Sequence, residues 1–478
     1  MMSETSPPFP DAMIENRTFE EITVGDMASL SRTVSQQDID LFAVISGDIN
    51  PAHMDPVYAR NDPFHKIIAH GMWGAGLISS VLGTKLPGAG TIYLAQDLRF
   101  LQPVGIGDTI TATLTVTEKH AEHGTLLFDC RCTNQDGLLV ISGTSRVKAP
   151  SEKVRRPRIE LPEVRLSRHE RFRALLAQTA GLEPLATAVA HPCDVNALGA
   201  VVEAAQARLI TPILVGPRGK ILKAAESAGI DISAFRLVDA PHSHAAAAAS
   251  VALVRNGEAA LLMKGSLHTD ELLHAVLAPD GGMRTGRRLS HVYLMDVPGY
   301  PRPLLITDAA VNIAPDLEQK RDIVQNAIDL AHVMGIPKPH VALLSAVETV
   351  NPRLRSTLDA AALCKMADRG QITGGVVDGP LALDNALSPA AAATKGIVSE
   401  VAGRADILVV PDLEAGNMLA KQLILLSGAD AAGVVLGARV PIILTSRADG
   451  ERTRMASCAV AVLIARRRAE TIAPAGGA

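Results

Sequence analysis

The hydrophobic pattern of this chain changes near residue 150, and the two patterns allow two different kinds of fold. In 109–116 the even positions are apolar and the odd positions are threonines. Such alternation is typical of an antiparallel strand with one buried face. Beyond residue 166, short apolar runs such as Ile210–Val215 and His340–Leu344 alternate with alanine-rich helical stretches. That pattern is typical of parallel sheets covered by helices on both faces. Since 478 residues also exceed one ordinary core, we predict two unlike domains.

Composition and periodicity together place the domain boundaries. The first domain is predicted to contain one apolar helix over Ile67–Lys85 and an antiparallel sheet, and the second to form two α/β lobes with a cleft between them. A segment rich in Pro, Arg and Glu lies between the domains and predicts a linker. The predicted organisation is a disordered N-terminus at 1–14, the first domain at 15–148, the linker at 149–167, the second domain at 168–470 and a flexible tail at 471–478.

Charge and composition exclude several classes of function. A net charge of −4 gives no electrostatic case for nucleic-acid binding, and the apolar runs are too short or too interrupted to span a bilayer. The N-terminus lacks the basic and apolar regions of a secretory signal. Five scattered cysteines suggest neither a disulfide framework nor a zinc site. We therefore expect a cytoplasmic protein that requires no metal and binds no membrane.

A carboxylate and an imidazole stand five residues apart in the first domain. Asp48 and His53 flank the turn-forming Asn50-Pro51, and His70-Gly71 follows at the start of the apolar helix. Asp and His together can hold a water, take one proton and return another. An isolated Asp-x-Asn-Pro would indicate only an Asx turn. The two histidines that follow favour a catalytic Asp48–His53 pair instead, with Asn50 as a substrate-binding residue and His70 in a structural role.

This constellation resembles the hydratase-2 motif of MaoC-like, (R)-specific enoyl-CoA hydratases. The likeness runs through Phe42–Ala59 and continues in Ile92–Phe100 and Pro103–Asp108. It implies a hotdog fold, in which a sheet curls around one apolar helix, and hydration of trans-2-enoyl-CoA to (R)-3-hydroxyacyl-CoA. It further implies that the backbone N–H of Gly71 binds the enolate oxygen and that Ser79 supports the site.

In the second domain, Gly and Pro beside polar residues end many of the short apolar runs. These segments include Leu262–Gly265, Met283–Gly286, Glu348–Pro352 and Leu444–Arg447. Open α/β sheets bind ligands at the carboxyl ends of their strands. Arg284 and Arg447 could hold phosphate by paired hydrogen bonds, and Ser446 could add a hydroxyl donor.

Together these segments resemble the phosphate acetyl/butyryltransferase family, which implies an isocitrate-dehydrogenase-like architecture. The resemblance implies acyl exchange between CoA and inorganic phosphate without a metal or an organic cofactor. Ser446 and Arg447 match the phosphate site of the family. The further substrate-binding residues are predicted to be Lys264, Arg284, Asn351 and Asp449. The Met-Lys-Gly and Arg-Thr-Gly segments are more similar to butyryltransferases than to acetyltransferases proper.

Three positions depart from the family pattern, one of which is Ala420, where related chains often carry tyrosine. The acetyltransferases carry an aspartate six residues past the arginine, a proposed base for the CoA thiol, where this chain has Thr453. Asp449 is the nearby substitute. An arginine of the family aligns with His274. The phosphate site therefore matches, whereas the base is not assigned.

The sequence leaves more than one function open. The expected fold is an α+β hotdog domain followed by a two-lobed α/β domain, and the expected function is that of a bifunctional hydratase and phosphate acyltransferase. In the main alternative only the first half is catalytic, and the second half is an acyl-CoA-binding or oligomerisation module. In a further alternative the first half dehydrates a non-CoA substrate. The expected partners are acyl-CoA, phosphate and further copies of the chain, in a dimer or higher oligomer.

Overall fold

The computed structural model describes residues 13–157, 159, 161, 162, 164, 166, 169–279, 282–445 and 449–472. The chain divides into two compact units between residues 167 and 168. Residues 1–12 of the predicted N-terminal segment and 473–478 of the predicted tail lie outside the described residues. Within the described part, none of the helices is long and apolar enough to cross a membrane.

The first unit is built on an antiparallel sheet. Its strands are β1 (Met13–Glu15), β2 (Met27–Thr33), β3 (Ile92–Phe100), β4 (Thr109–His120), β5 (Thr125–Thr133), β6 (Leu139–Lys148) and β7 (Arg155–Pro157). Its helices are α1 (Gln36–Ser46), α2 (Pro51–Met54), α3 (Pro56–Asn61) and α4 (Gly71–Thr84). Five strands form one sheet in the order β2-β4-β5-β6-β3, and every pairing is antiparallel.

The alternating apolar side chains of this sheet pack on α4. The inward positions of β4 are all buried, as the alternation predicts: Ile110, Ala112, Leu114 and Val116. They belong to the same apolar cluster as Trp73, Ile78 and Val81 of α4. A sheet packed around one apolar helix is the predicted hotdog fold, which is confirmed.

The apolar helix begins later than the sequence predicts. It begins at Gly71 rather than Ile67. Ile68 forms a β-bridge with Gly105, and the Ala69 N–H donates to the Val104 carbonyl at 2.7 Å. These hydrogen bonds keep the residues just before Gly71 in an extended conformation. Because residues 67–69 are as apolar as the helix, composition alone does not show where the helix begins.

Part of the predicted linker belongs to the first unit. Residues 155–157 form β7, which pairs antiparallel with β1. The Asn16 side chain supports this pairing, because its Oδ1 accepts a hydrogen bond from the Val154 N–H at 2.8 Å. The charged and proline-rich composition of the segment does not predict a strand. This strand forms because it pairs with β1, which lies about 140 residues away in sequence.

The second unit alternates strands and helices. Its strands are β8 (Leu185–Ala190), β9 (Ile210–Gly216), β10 (Arg236–Asp239), β11 (Leu261–Lys264), β12 (Ser290–Asp296), β13 (Leu304–Thr307), β14 (His340–Leu344), β15 (Val376–Leu381), β16 (Ile407–Val409), β17 (Asp430–Leu436) and β18 (Ile442–Ile443). Its helices are α5 (Glu170–Thr179), α6 (Val195–Gln206), α7 (Arg218–Ala228), α8 (Ser243–Arg255), α9 (Thr269–Leu277), α10 (Leu317–Val333), α11 (Arg355–Asp368), α12 (Leu383–Leu387), α13 (Pro389–Thr394), α14 (Leu413–Ser427) and α15 (Glu451–Ile472).

These strands form one continuous mixed sheet in the order β10-β9-β8-β11-β18-β17-β12-β13-β16-β14-β15. Two groups are internally parallel: β10, β9, β8, β11 and β18, and then β13, β16, β14 and β15. Between them β17 and β12 run antiparallel to their neighbours. The predicted parallel pairing therefore holds inside each group, while the centre of the sheet is antiparallel.

The two lobes appear in the packing of this sheet. One apolar cluster runs along one face, with residues from both groups of strands such as Leu214 and Leu305. The alternate residues of the same strands fall into two separate clusters, one with Ile213 and Leu262 and the other with Ile306. The opposite face is thus divided in two, and the predicted two-lobed α/β fold is confirmed.

Candidate active sites

The end of α1 and the start of α2 position the carboxylate of Asp48 and the imidazole of His53, the predicted pair. Helix α1 ends at Gly47, whose φ of 74° lies in the left-handed region that favours glycine. The Asn50 side chain then caps α2 by accepting a hydrogen bond from the Ala52 N–H at 3.1 Å. Pro51 stands at the start of α2, where its missing N–H has no intrahelical partner to lose. The motif is therefore a compact turn set by local hydrogen bonds.

The hydrogen bonds of two imidazoles determine where their lone pairs are. His53 Nδ1 lies 2.8 Å from the carbonyl oxygen of Ile68, so this nitrogen donates and, in the neutral ring, Nε2 is an unprotonated acceptor. His70 Nε2 lies 3.0 Å from the backbone carbonyl oxygen of Asp48, so Nδ1 is the unprotonated nitrogen of that ring. The two ring centroids are 3.9 Å apart.

The carboxylate of Asp48 joins these imidazoles in one group. One side-chain N or O atom from each of Asp48, His53 and His70 lies within 4.8 Å of the others. His53 and His70 are only 9% and 3% exposed, whereas Asp48 is exposed. A water held here would meet a carboxylate on one side and an imidazole lone pair on the other. The geometry supports the predicted pair, whose catalytic role remains a prediction.

A cavity of about 270 Å³ opens beside this group. His53, His70 and Gly71 line it together with apolar side chains such as Trp73. Gly71 is the first residue of α4, and the preceding His70 makes no side-chain cap hydrogen bond. The N–H groups of a first helical turn have no partners inside the helix and can bind negative charge. The predicted position for the enolate oxygen is therefore in the cavity wall.

Three predicted site residues do not line this cavity: Asp48, which lies beside it in the group with His53 and His70, Asn50 and Ser79. Ser79 lies two turns further along α4 and is exposed. The Asn50 side chain is engaged in capping α2. The supporting role of Ser79 in catalysis and the substrate-binding role of Asn50 remain predictions.

Ser446 and Arg447, the predicted phosphate-binding pair, lie outside the described residues. The preceding residue, Thr445, is buried and follows β18. It lines a small cavity of about 60 Å³ with Lys264, which ends the neighbouring parallel strand β11. The structure therefore brings Lys264 next to the residue that precedes the predicted pair.

Two cations contribute to this small cavity. Lys264 is 7% exposed, and its Nζ donates to the carbonyl oxygens of Gly265 and Leu267 at 3.2 and 3.3 Å. Arg454 of α15 lines the same cavity, and its Nη1 donates to the carbonyl oxygen of Asn196 at 3.1 Å. Both charges are positioned by backbone carbonyls. Asp194 also lines the cavity, and its Oδ1 accepts a hydrogen bond from the Ala197 N–H at 2.8 Å, so the two cations exceed the one carboxylate, an excess that suits an anionic ligand.

Arg284 and Asn351 lie elsewhere. Arg284 forms a β-bridge with Ala438, in the turn between β17 and β18, and thus at the opposite end of β18 from Thr445. Asn351 follows β14, and its side-chain oxygen accepts a hydrogen bond from the Arg353 N–H at 2.9 Å. Neither lines the cavity of Lys264. Their predicted contacts with substrate therefore have no support from that cavity.

The candidate base Asp449 and the two departures from the family pattern, Thr453 and His274, occupy different places. Asp449 lies near Tyr293 of β12, and burial, followed by the charge of Asp449, raises the pKa of that phenol to about 12. Thr453 lies in the first turn of α15, where its carbonyl oxygen accepts a hydrogen bond from Ser457 Oγ at 2.6 Å. His274 is exposed on α9. Asp449 remains the acidic candidate nearest in sequence to the predicted pair.

Sequence reasoning undervalued two residues. His70 was expected to be structural, and its hydrogen bond to the Asp48 carbonyl fits that role, but one of its ring nitrogens also lies in the group with Asp48 and His53. Its place directly before Gly71 was the available signal. Arg454 had no signal of its own, because only the fold brings the start of α15 against the end of β11.

Comparisons with known proteins agree with the two units. A family model described as phosphate acetyl/butaryl transferase matches residues 242–462, and a MaoC like domain model matches 23–127. A phosphate acetyltransferase of Rhizobium meliloti is 63% identical over 304 residues, which is 63% of this chain and 96% of that protein. A phosphate butyryltransferase of Clostridium acetobutylicum is 43% identical over 294 residues, 62% of this chain and 98% of that protein. The crystal structure of a branched-chain phosphotransacylase from Enterococcus faecalis V583 superposes with a TM-score of 0.52 at 31% identity, covering 59% of this chain and 99% of that one.

Proposed function

The chain belongs to the phosphate acetyl/butyryltransferase family and also carries a MaoC-like domain, and from this premise we propose that it is a bifunctional acyl-CoA enzyme. The first unit hydrates trans-2-enoyl-CoA to (R)-3-hydroxyacyl-CoA. The second unit transfers an acyl group between CoA and inorganic phosphate. The arrangement of lone pairs at Asp48 and His53 carries the first assignment. The likeness over almost the full length of the relatives carries the second.

The hydration is a syn addition that the Asp48–His53 pair can perform with one proton relay. The pair holds a water between the carboxylate and His53 Nε2, the lone pair that the Ile68 carbonyl leaves free. The water oxygen bonds to the β-carbon of the enoyl group while its proton passes to the pair. The pair then returns a proton to the α-carbon on the same face, so the protons balance. Negative charge that develops on the thioester oxygen meets the first-turn amide of Gly71.

Crotonyl-CoA hydration tests this assignment. We expect Asp48→Asn and His53→Gln to lower kcat/KM by about 10² to 10⁴, the usual contribution of positioned acid–base groups. His123→Gln, an exposed histidine of the same unit, is the matched control. Unchanged turnover in the two variants would remove the pair from the reaction.

In the transferase unit we assign phosphate binding to Ser446 and Arg447, with Lys264 as a further cation. Support comes from the place of Thr445 beside Lys264 in one cavity. An arginine fork can bind phosphate through two parallel hydrogen bonds, and a lysine adds a point charge. In the transfer the phosphate oxygen attacks the thioester carbonyl, and the CoA thiolate leaves and takes up a proton. Asp449 is the proposed partner for that proton.

Phosphate-dependent release of CoA tests the transferase. Acetyl-, butyryl- and 3-hydroxybutyryl-CoA are the substrates, with Arg447→Ala as the test variant and Arg467→Ala of α15 as the control. Release that requires both phosphate and Arg447 is the expected result, and the preferred acyl chain identifies the substrate. No release from protein that still hydrates crotonyl-CoA would favour the alternative, in which the second unit binds acyl-CoA or assembles the protein without catalysis.

We further propose that the first unit associates with a second copy along β3. This strand lies at one end of its sheet, so one row of its backbone groups has no strand partner among the described residues. Ile92, Leu94 and Phe100 on it are 55%, 50% and 52% exposed. An exposed apolar edge is a template for strand pairing. Light scattering should give at least a dimer, and Leu94→Lys should lower the mass if this edge is the interface.

We also place the protein in a reducing cytoplasm. All five cysteines are free thiols, and burial raises the pKa of the Cys458 thiol to about 12. Reduced and unreactive thiols of this kind are usual in a reducing compartment.

A further inference from the structure

Asp48, His53 and His70 have the donor set of a transition-metal site. Their ligand-forming atoms lie within 4.8 Å of one another. Two imidazole nitrogens and one carboxylate oxygen suit zinc, whereas magnesium and calcium prefer oxygen ligands alone. Three protein ligands leave one position of a tetrahedral ion open. The exposed side of the group, at Asp48, gives an ion in solution access to it.

The second ring nitrogen of each histidine is held as metal ligands are usually held. A histidine that binds a metal commonly donates its other N–H to a carbonyl or a carboxylate, which fixes the tautomer and directs the free lone pair. His53 donates through Nδ1 to the Ile68 carbonyl at 2.8 Å, and His70 donates through Nε2 to the Asp48 carbonyl at 3.0 Å. In each neutral ring the other nitrogen therefore carries a lone pair, which is the form that binds a metal ion.

The buried nitrogen of His70 makes the strongest case for a ligand. His70 is 3% exposed, and its Nδ1 has no hydrogen-bond partner among the described residues. Buried polar atoms are normally paired, because leaving one without a partner costs free energy. The hydration reaction described above uses Asp48 and His53 and leaves this nitrogen unused. A metal ion that His70 binds through Nδ1 would give this nitrogen a partner.

We propose that Zn²⁺ binds Asp48, His53 and His70 and thereby blocks the hydratase site. The ion acts as a competitor and not as a cofactor. It takes the carboxylate and the His53 Nε2 that would hold the reacting water. Since zinc bonds to nitrogen are about 2.0–2.1 Å long, the three ligands must move slightly together, and the exposed Asp48 side chain can make this movement. Binding of the ion is independent of the proposed hydratase function, and only the inhibition rests on it.

Titration of the full-length protein with Zn²⁺ against a colorimetric chelator measures the binding directly. We expect one zinc ion to bind per chain. We expect the affinity for this ion to fall about tenfold or more in Asp48→Asn, His53→Gln and His70→Gln. Asp48→Glu keeps a carboxylate and should keep binding closer to that of the natural protein. His123→Gln should bind as the natural protein does. Because Trp73 is the single tryptophan and lies in this unit, its fluorescence shows that each variant is folded.

Two further readouts separate this site from other histidine clusters and from the proposed function. Co²⁺ in place of Zn²⁺ should give the visible absorption of a four-coordinate site, and this absorption should vanish in His70→Gln. Crotonyl-CoA hydration should fall with the same Zn²⁺ midpoint as binding and recover on chelation. Zinc binding that all three variants retain, or hydration that is indifferent to saturating Zn²⁺, would overturn the proposal. If the protein never hydrates crotonyl-CoA, the proposed function fails, while the titration and the Co²⁺ spectrum still decide the metal site.

Discussion

His291 lies on β12 near the middle of the eleven-stranded sheet, and we expect it to make the stability of the second unit depend on pH. Its side chain is fully buried, and neither ring nitrogen has a hydrogen-bond partner among the described residues. The ring packs edge to face against Tyr293 at 4.4 Å between centroids. A Cβ on Gly433 would lie 3.0 Å from His291 Nε2, so the imidazole occupies space that a glycine leaves open. Burial lowers the pKa of His291 to about 3.

The change in the free energy of unfolding with pH follows from the lowered pKa of His291. In the unfolded chain the pKa of histidine is about 6.5. Below that pH the unfolded state binds a proton on this side chain, whereas the folded state does not. Stability is therefore complete above about pH 6.5 and is lost as the pH falls toward 3. Each pH unit in this window costs about 1.4 kcal/mol, so at about pH 5 the loss is about 2 kcal/mol. In His291→Phe, which cannot titrate, this part of the pH dependence should be absent.

Urea unfolding at a series of pH values between 7.5 and 5 measures the difference. The single tryptophan lies in the first unit, so fluorescence follows that unit alone. Circular dichroism follows both units, and the transition without a fluorescence change belongs to the second. The free energy of unfolding of the natural protein should fall by about 2 kcal/mol more than that of His291→Phe, whereas the exposed His274→Gln should follow the natural protein. Parallel curves for the natural protein and His291→Phe would refute the reasoning.

Three substitutions test the packing, capping and charge pairing of the two units. Gly143→Ala should destabilise the first unit by about 1–3 kcal/mol in thermal unfolding, because the new Cβ would lie 1.9 Å from the carbonyl oxygen of Asp97 in the backbone of the neighbouring strand β3. Ser35→Ala removes the cap of α1, whose side chain accepts from the third helical N–H, and should cost about 0.5–2 kcal/mol in urea unfolding. Lys320→Met removes the cation 2.8 Å from Asp359 and leaves the buried carboxylate with Arg355, which is 3.6 Å away, so it should cost at most about 3 kcal/mol. A further Asp359→Leu should restore most of this loss, and equal stability of the single and double variants would contradict the pairing.

The parts of the fold that sequence predicts well are those with a local cause. The alternation in β4 predicts which side chains are buried, because the strand geometry alone sends neighbours to opposite faces. The Asp48 to His53 turn is likewise local, since Gly47, Asn50 and Pro51 each act within a few residues. For the same reason the pair of catalytic candidates can be recognised from the sequence.

The sequence does not show how segments far apart along the chain are arranged in space. Arg284 and Lys264 were predicted to bind the same substrate, yet the turn between β17 and β18 takes Arg284 to the other end of β18. The antiparallel pairing at the centre of the large sheet also cannot be predicted from local sequence, because an apolar run does not show in which direction its strand will run. Strand order depends on pairings between residues more than a hundred positions apart, such as Val292 with Val434.

The sequence by itself determined two unlike folds, the presence of an Asp–His pair and the resemblance to two families of acyl-CoA enzymes, because periodicity and short motifs act over a few residues. The tertiary structure decided which ring nitrogens are free. The Ile68 carbonyl fixes the proton of His53 across 15 residues, and the Asp48 carbonyl fixes that of His70 across 22 residues. A hydrogen bond of this range forms only when the folded backbone brings its two ends together, and it is this contact that sets the lone pairs on which both the hydration and the zinc site depend.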